Sequence, residues 1–169
     1  IFAFAIWNEN TSELKLVRDI VGVKPLYYYH DIKNKKFYFS SLIKPILLSK
    51  NDNLINDVAF NYYKNFWHND QVETIFKNIF KVQPGELITF TNNKLLKKKI
   101  LEFNFSKTIF NPKSEIKRIF SKQFISDVPV ALSLSGGVDS NLIFSIMKEN
   151  LDNKFRTYSV TFDDGLNYD

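Results

Sequence analysis

Ser135-Gly136-Gly137-Val138-Asp139-Ser140 is the segment whose residue types and spacing are best suited to chemistry. A phosphate chain needs several donors converging on it with no side chain in the way. Two adjacent glycines let the backbone turn tightly and approach closely. Successive backbone N–H groups can then form an anion-binding concavity. A helix that follows adds its unpaired first N–H groups and the positive end of its dipole. Ser135 and Ser140 bring hydroxyl donors. Asp139 would repel phosphate unless a cation lies between them, and a Mg²⁺ shared by carboxylate and phosphate oxygens resolves the conflict. Neither Gly-x-x-x-x-Gly-Lys-Ser/Thr nor Gly-x-Gly-x-x-Gly occurs, so two other phosphate-binding loops are excluded. The plain alternative is a strand-to-helix turn capped by Ser or Asp. By average composition, such a match arises by chance on the order of once in a few thousand chains of this length. That favours phosphate binding.

Such a loop must be held between a strand and a helix. Val128 to Leu134 is a short apolar run, Asn141 to Asn150 carries Leu142, Ile143, Ile146 and Met147 at helical spacing, and Tyr158 to Phe162 is apolar again. Strand, turn, helix, strand is a βαβ unit, which implies a parallel sheet. Pro112 to Ile125 reads as a further helix, with Ile116, Ile119, Phe120 and Phe124 on one face.

The first hundred residues differ in character. Residues 2–7 read as a buried strand, with a second strand around Leu14 and Leu16. Gly22 is the expected positive-φ position of the turn that follows. Leu26 to Tyr29 and Phe37 to Phe39 read as two more strands, so residues 1–40 are expected to form an antiparallel meander under a second layer. Ser40-Ser41 is expected to cap a short helix through Leu48. Asn56 or Asp57 caps another, with Val58, Phe60, Tyr63 and Trp67 on its apolar side. Pro84-Gly85 is a turn, and Leu87 to Phe90 with Leu95 to Leu101 form a hairpin around Asn92-Asn93.

Composition excludes several classes. The 169 residues are 44% hydrophobic and 24% charged, as in globular proteins. No apolar run reaches the roughly 18 residues of a membrane span, and residues 1–6 are too short for a signal-peptide core. Cysteine is absent, which excludes a disulfide scaffold, a thiolate metal site and a cysteine nucleophile within these residues. The net charge of +5 invites a nucleic-acid reading, but only three of the 23 basic residues are Arg, and the Lys, Asn, Phe and Ile bias matches A/T-rich codons. Lys97-Lys98-Lys99 reads as a solvated strand or turn. Arg18 and Asp19 read as an ion pair or turn-holding pair, Tyr27 to Tyr29 as core, and His30 and His68 as surface or core residues.

The loop resembles the pyrophosphate-binding loop of the ATP pyrophosphatase superfamily, whose members activate a carboxylate or carbonyl oxygen by adenylation. Ser126-Asp127-Val128-Pro129 ahead of it resembles glutamine-dependent asparagine synthetase. So do residues 2–7, the stretch Arg18-Asp19-Ile20-Val21-Gly22-Val23-Lys24-Pro25-Leu26-Tyr27-Tyr28, Phe39 to Lys44, and Thr74 to Gly85. The resemblance covers essentially the whole chain in the family's order.

It implies a fold that is α+β and then α/β. The rear of an antiparallel-sheet class-II glutaminase sandwich (residues 1–101) leads through a connector (102–111) into the first βαβ unit of a parallel-sheet adenylating domain (112–169). It implies ATP and Mg²⁺ as cofactors. Leu134 and Val160 fall on the nucleotide side, Ser135, Gly136, Gly137, Asp139 and Ser140 contact the pyrophosphate, and Asp139 contacts the metal through it. No catalytic residue for glutamine hydrolysis falls in the chain, since the family's cysteine, glutamine-binding arginine, Asn-Gly-Glu and Ser-Asp segments precede the point corresponding to Ile1. A Ser-Gly-Glu-Gly-x-Asp-Glu loop of the family would follow Asp169. The expectation is therefore an internal piece of a longer enzyme, inactive and prone to association by itself. The parent would be a cytoplasmic ligase acting on glutamine, aspartate and ATP, with no nucleic-acid or membrane partner and a homodimer compatible. A sugar or cell-surface precursor as acceptor, and a non-catalytic remnant, stand as alternatives.

Overall fold

The computed structural model describes residues 1–50, 52–69, 72–99, 111–150 and 155–161. Contacts divide the chain into two compact units, Ile1–Phe105 and Ser106–Asp169.

Alternation along Glu13–Arg18 places Leu14 and Leu16 on one face of a strand, where they can be buried without burying Lys15. That strand, β2, pairs antiparallel with β1 (Ala3–Asn8) on one side and β6 (Glu86–Thr91) on the other. Beyond β6 lies β7 (Lys94–Lys99), so the first sheet runs β1-β2-β6-β7. The second sheet is β4-β3-β5, from Lys36–Ser40, Tyr27–Asp31 and Ile79–Lys81. The two sheets share one core. Leu16 and Ile88 from the first sheet meet Tyr28 from the second, with Leu26 and Val82 beside them. Phe37 of β4 stacks on Phe90 of β6 at 4.5 Å between ring centroids. The Lys97 ammonium lies 5.3 Å from the centre of the Tyr28 ring. Burial, with the Glu86 carboxylate adding, pushes the Tyr28 phenol above the usual range. Its hydroxyl is the one buried side-chain polar atom among the described residues without a hydrogen-bond partner.

The expected meander is thus corrected. Its four strands form two hairpins in different sheets, because β2 takes β6 as its second neighbour and β3 takes β5. The three-residue β5 falls in a segment where no strand was expected. The 86–99 hairpin turns through Asn92 and Asn93, both at positive φ, the chemistry of a type I′ turn. At Pro84-Gly85 the turn is closed by the Glu86 amide donating to the Gln83 carbonyl, with Gly85 at φ +72°.

Among the described residues two helices complete the unit. Helix α1 (Ile43–Ser49) has Leu42 at its N-cap with no side-chain cap, not Ser40 or Ser41. The Ser40 hydroxyl instead accepts the Leu42 amide and shapes the approach. Helix α2 (Asp57–Phe66) is capped by Asn56, which accepts from the Val58 and Ala59 amides. Its expected apolar side faces outward. Ala59 is the buried residue, whereas Val58 is 74% exposed and Trp67 83%.

In the second unit, Asn111 caps α3 (Pro112–Gln123), and Pro112 begins it where no amide is needed. Residues 102–110 of the expected connector lie outside the described residues. Helix α4 (Val138–Asn150) starts directly after Gly137, three residues earlier than expected, and buries Ile146 and Met147 while leaving Leu142 exposed. It joins β8 (Ala131–Ser133) to β9 (Arg156–Tyr158), which pair in parallel. Both strands are shorter than the apolar runs suggested, and β9 begins two residues earlier. Lys117 pairs with Glu149, and the Ser121 hydroxyl donates to Asn150 Oδ1 at 2.8 Å, joining α3 to α4.

Candidate functional site

The loop grows directly from the end of β8. The Leu134 amide donates to the Tyr158 carbonyl at 2.8 Å, and the Ser159 hydroxyl donates to the Leu134 carbonyl at 2.6 Å. Leu134 therefore leaves the sheet fastened on both its backbone groups. Ser135 follows, then Gly136 at φ +83°, a conformation that side chains other than glycine's rarely take. The space where a Cβ of residue 136 would project is open for 4 Å. Gly137 ends the turn, and α4 begins at Val138. The first amide to reach back four residues is that of Asn141, which donates to the Gly137 carbonyl at 3.1 Å. The amides of residues 138–140 come before that bond and have no carbonyl to meet within the helix.

Ser135 and Ser140 are brought together, their hydroxyl oxygens 3.2 Å apart. The Ser140 hydroxyl donates to the Gly137 carbonyl at 3.0 Å, and the Gly137 amide makes a long 3.4 Å bond to Ser135 Oγ. Asp139 stands exposed in the first turn of α4. Val160 lies two residues past the end of β9 and is exposed, so it sits beyond the strand. Leu134 lies one residue past β8, on the same carboxyl side of the two-stranded parallel sheet, where ligands of open α/β sheets bind. The arrangement is an open cradle with orphan amides and two hydroxyls, suited to the oxygens of a pyrophosphate. Among the described residues no group of three or more His, Cys, Asp or Glu could hold a metal ion unaided. Asp139 offers one carboxylate, so Mg²⁺ fits only as an ion shared with phosphate oxygens. A cleft of about 370 Å³ between α3 and α4 is lined by Ile116, Leu142 and Ile146 and includes none of the loop residues.

Two residues of this site carry no motif signal. Asn141 Nδ2 donates to the Gly136 carbonyl at 2.9 Å and to the Gly137 carbonyl at 3.1 Å. Ser159 reaches Leu134 across 25 residues of sequence. The only clue to Asn141 is its type, since Asn near a helix start often bonds local backbone.

In the first unit, Arg18 and Asp19 are turn holders. The Arg18 guanidinium donates to the carbonyls of Lys24, Val82 and Gly22 at 2.9, 2.7 and 2.5 Å. The Asp19 carboxylate is 5% exposed and accepts from the amides of Phe2, Val21 and Gly22. Gly22 is at φ +70°, and a Cβ there would come within 2.8 Å of the Pro84 ring. His30 Nε2 pairs with Asn93 Oδ1 at 3.0 Å, and His68 Nδ1 lies 2.7 Å from the Phe66 carbonyl.

Comparison with known proteins gives this geometry a context. Residues 1–101 match the glutamine amidotransferase domain, and residues 113–169 match asparagine synthase. The chain belongs to the glutamine-hydrolysing asparagine synthetase family. It is 33% identical to asparagine synthetase 1 of Bacillus subtilis over 96% of its own length, and 29% identical to that organism's asparagine synthetase 3 over 99%. It is also 30% identical over 97% of its length to the microcin J25-processing protein McjC of Escherichia coli. It spans 27%, 29% and 31% of those three relatives. Among the described residues, no helix is long and apolar enough to cross a membrane.

Proposed function

We propose that the longer protein carrying this chain is an ATP-dependent, glutamine-hydrolysing amidotransferase of the cytoplasm, with aspartate as acceptor and asparagine as product. In this reading residues 1–101 are the rear of the glutaminase domain, 102–111 the connector, and 112–169 the start of the adenylating domain. The observation that carries it is the cradle at the carboxyl end of β8, with Gly136 at positive φ and the first amides of α4 free of intrahelical partners. Two family matches in the matching order support it.

Leu134 and Val160 bracket the nucleotide base from the ends of β8 and β9. Ser135, Gly136, Gly137 and Ser140 hold the pyrophosphate part of ATP, and Asp139 would hold Mg²⁺ at the phosphate oxygens. Bound there, the metal would neutralise charge on the phosphate oxygens. An acceptor carboxylate oxygen attacks the α-phosphorus. The bond to the bridging oxygen breaks, and pyrophosphate leaves with the electron pair. The loop amides and the Ser135 hydroxyl stabilise the charge that develops on it, joined by the Ser140 hydroxyl when its hydrogen turns from the Gly137 carbonyl to the phosphate. Ammonia released from glutamine then attacks the acyl carbon, AMP departs, and the extra proton is lost.

Asp139→Asn in the longer protein is expected to abolish ATP–pyrophosphate exchange and leave glutamate release from glutamine intact. Equal loss of both would overturn the assignment. A second acceptor is favoured by one finding: the relative named for microcin processing is nearly as similar as the synthetases. Amide formation on a larger acceptor with no turnover of aspartate would select that reading.

A further inference from the structure

In a trans peptide the C=O and the N–H of the same plane point in opposite directions. The Gly136 carbonyl shares its plane with the Gly137 amide, and the Gly137 carbonyl shares its plane with the Val138 amide. Whatever gathers those two carbonyls on one side therefore aims two amides at the other. Asn141 does this with a single group, Nδ2 donating at 2.9 Å to the Gly136 carbonyl and at 3.1 Å to the Gly137 carbonyl. The second carbonyl is also held by the helix and by the Ser140 hydroxyl. For the Gly136 carbonyl, the Asn141 amide is the one described donor. Its plane lies between two glycines, the residues that resist rotation least, and at its other end the Gly137 amide makes only the long 3.4 Å bond to Ser135 Oγ, which a phosphate oxygen can replace. A rotated plane would turn a carbonyl oxygen toward the phosphate in place of an amide.

We infer that Asn141 is a positioning residue that holds the Gly136–Gly137 peptide in its anion-accepting orientation, and so sets affinity for the pyrophosphate portion of the nucleotide. This rests on the reading of the loop as an ATP site. Asn141 itself touches no phosphate in this scheme, because its Nδ2 is already engaged with two carbonyls.

The test uses the longer protein and two variants, Asn141→Ala and the near-isosteric Asn141→Asp, which keeps the shape and loses the donor. The probes are ATP, inorganic pyrophosphate and adenosine. Both variants should raise the KM for ATP and the inhibition constant for pyrophosphate together, about tenfold, the scale of two lost hydrogen bonds. Inhibition by adenosine should stay within about twofold of wild type, a separation that general disruption of the site would not give. Unchanged pyrophosphate inhibition in Asn141→Asp would overturn the inference, and so would a parallel loss of adenosine and pyrophosphate. A wild-type protein that binds neither ATP nor pyrophosphate would overturn the ATP reading itself, and this assignment with it.

Discussion

Asp19 and Asn141 both act through the backbone, one as an acceptor and the other as a donor. Asp19 gathers the Phe2, Val21 and Gly22 amides, and its carboxyl is held below its ordinary value of 3.8. The Phe2 amide is the main cause, burial opposes it, and the Gly22 and Val21 amides add to it. A carboxyl depressed on folding contributes stability above its unfolded pKa and loses that contribution as pH falls through its folded value. Protection of the Val21 and Gly22 amides from hydrogen exchange, normalised for the intrinsic pH dependence, should therefore drop below about pH 3.8 in the longer protein. In Asp19→Ala it should be low and flat, and a wild-type profile that is itself flat would refute the linkage. At this scale the sequence was informative where residue type alone decides, as with two glycines flanked by hydroxyls. It was silent where direction decides, since nothing in the letter at 141 says which way its amide points. Ser159 was hidden for another reason, because its partner becomes a neighbour only when β8 and β9 pair.

The α2 cap, the tight turns and the first four strands were legible because they depend on a few adjacent residues, whereas the cap of α1, the short β5 and the bounds of β8 and β9 were not. Asn56 caps α2 as one of the two residues expected there, and Asn92-Asn93 turns the 86–99 hairpin, while the Asn111 cap of α3 emerged only from the structure. Strand neighbours were not legible. Leu14 and Leu16 mark β2 as half-buried but do not choose β6 over β3 as a partner. Helix α2 shows the same limit, since periodicity marks an apolar stripe without saying what meets it. Its end carries a local conflict. Trp67 closes α2 in the left-handed region at φ +59°, bonded to the Tyr63 carbonyl, with its indole almost fully exposed. A residue with a Cβ is disfavoured there by roughly 1 kcal/mol, and glycine is not. Trp67→Gly should accordingly raise stability by about 0.5–1 kcal/mol, read as a higher urea midpoint at unchanged slope. A lower midpoint would mean that the indole makes contacts in the longer protein worth more than the strain.

At the scale of the molecule, the two architectures follow from two kinds of pattern, alternation in the first hundred residues and strand–turn–helix in the last forty. What covers them is a separate matter. Among the described residues β1 is an edge of the first sheet, and it presents Phe4, Ile6 and Trp7 to solvent, Trp7 at 58% exposure. An open row of amides and carbonyls beside apolar side chains is a template for pairing with another strand. Helix α2 adds exposed Val58, Phe60 and Phe66 in the same unit. Among the described residues the parallel sheet of the second unit has two strands, whereas parallel sheets are stable when both faces are covered. The 169-residue chain alone should thus self-associate as its concentration rises, and it should melt broadly. Replacing Ile6 and Trp7 together by Lys should shift sedimentation toward the monomer, because charge on an edge strand blocks pairing without touching the Leu16, Tyr28 and Ile88 core. A chain that sediments as a monomer at every concentration and unfolds in one sharp transition would show that these surfaces are tolerated as they stand. The association argument would then fail for both units at once.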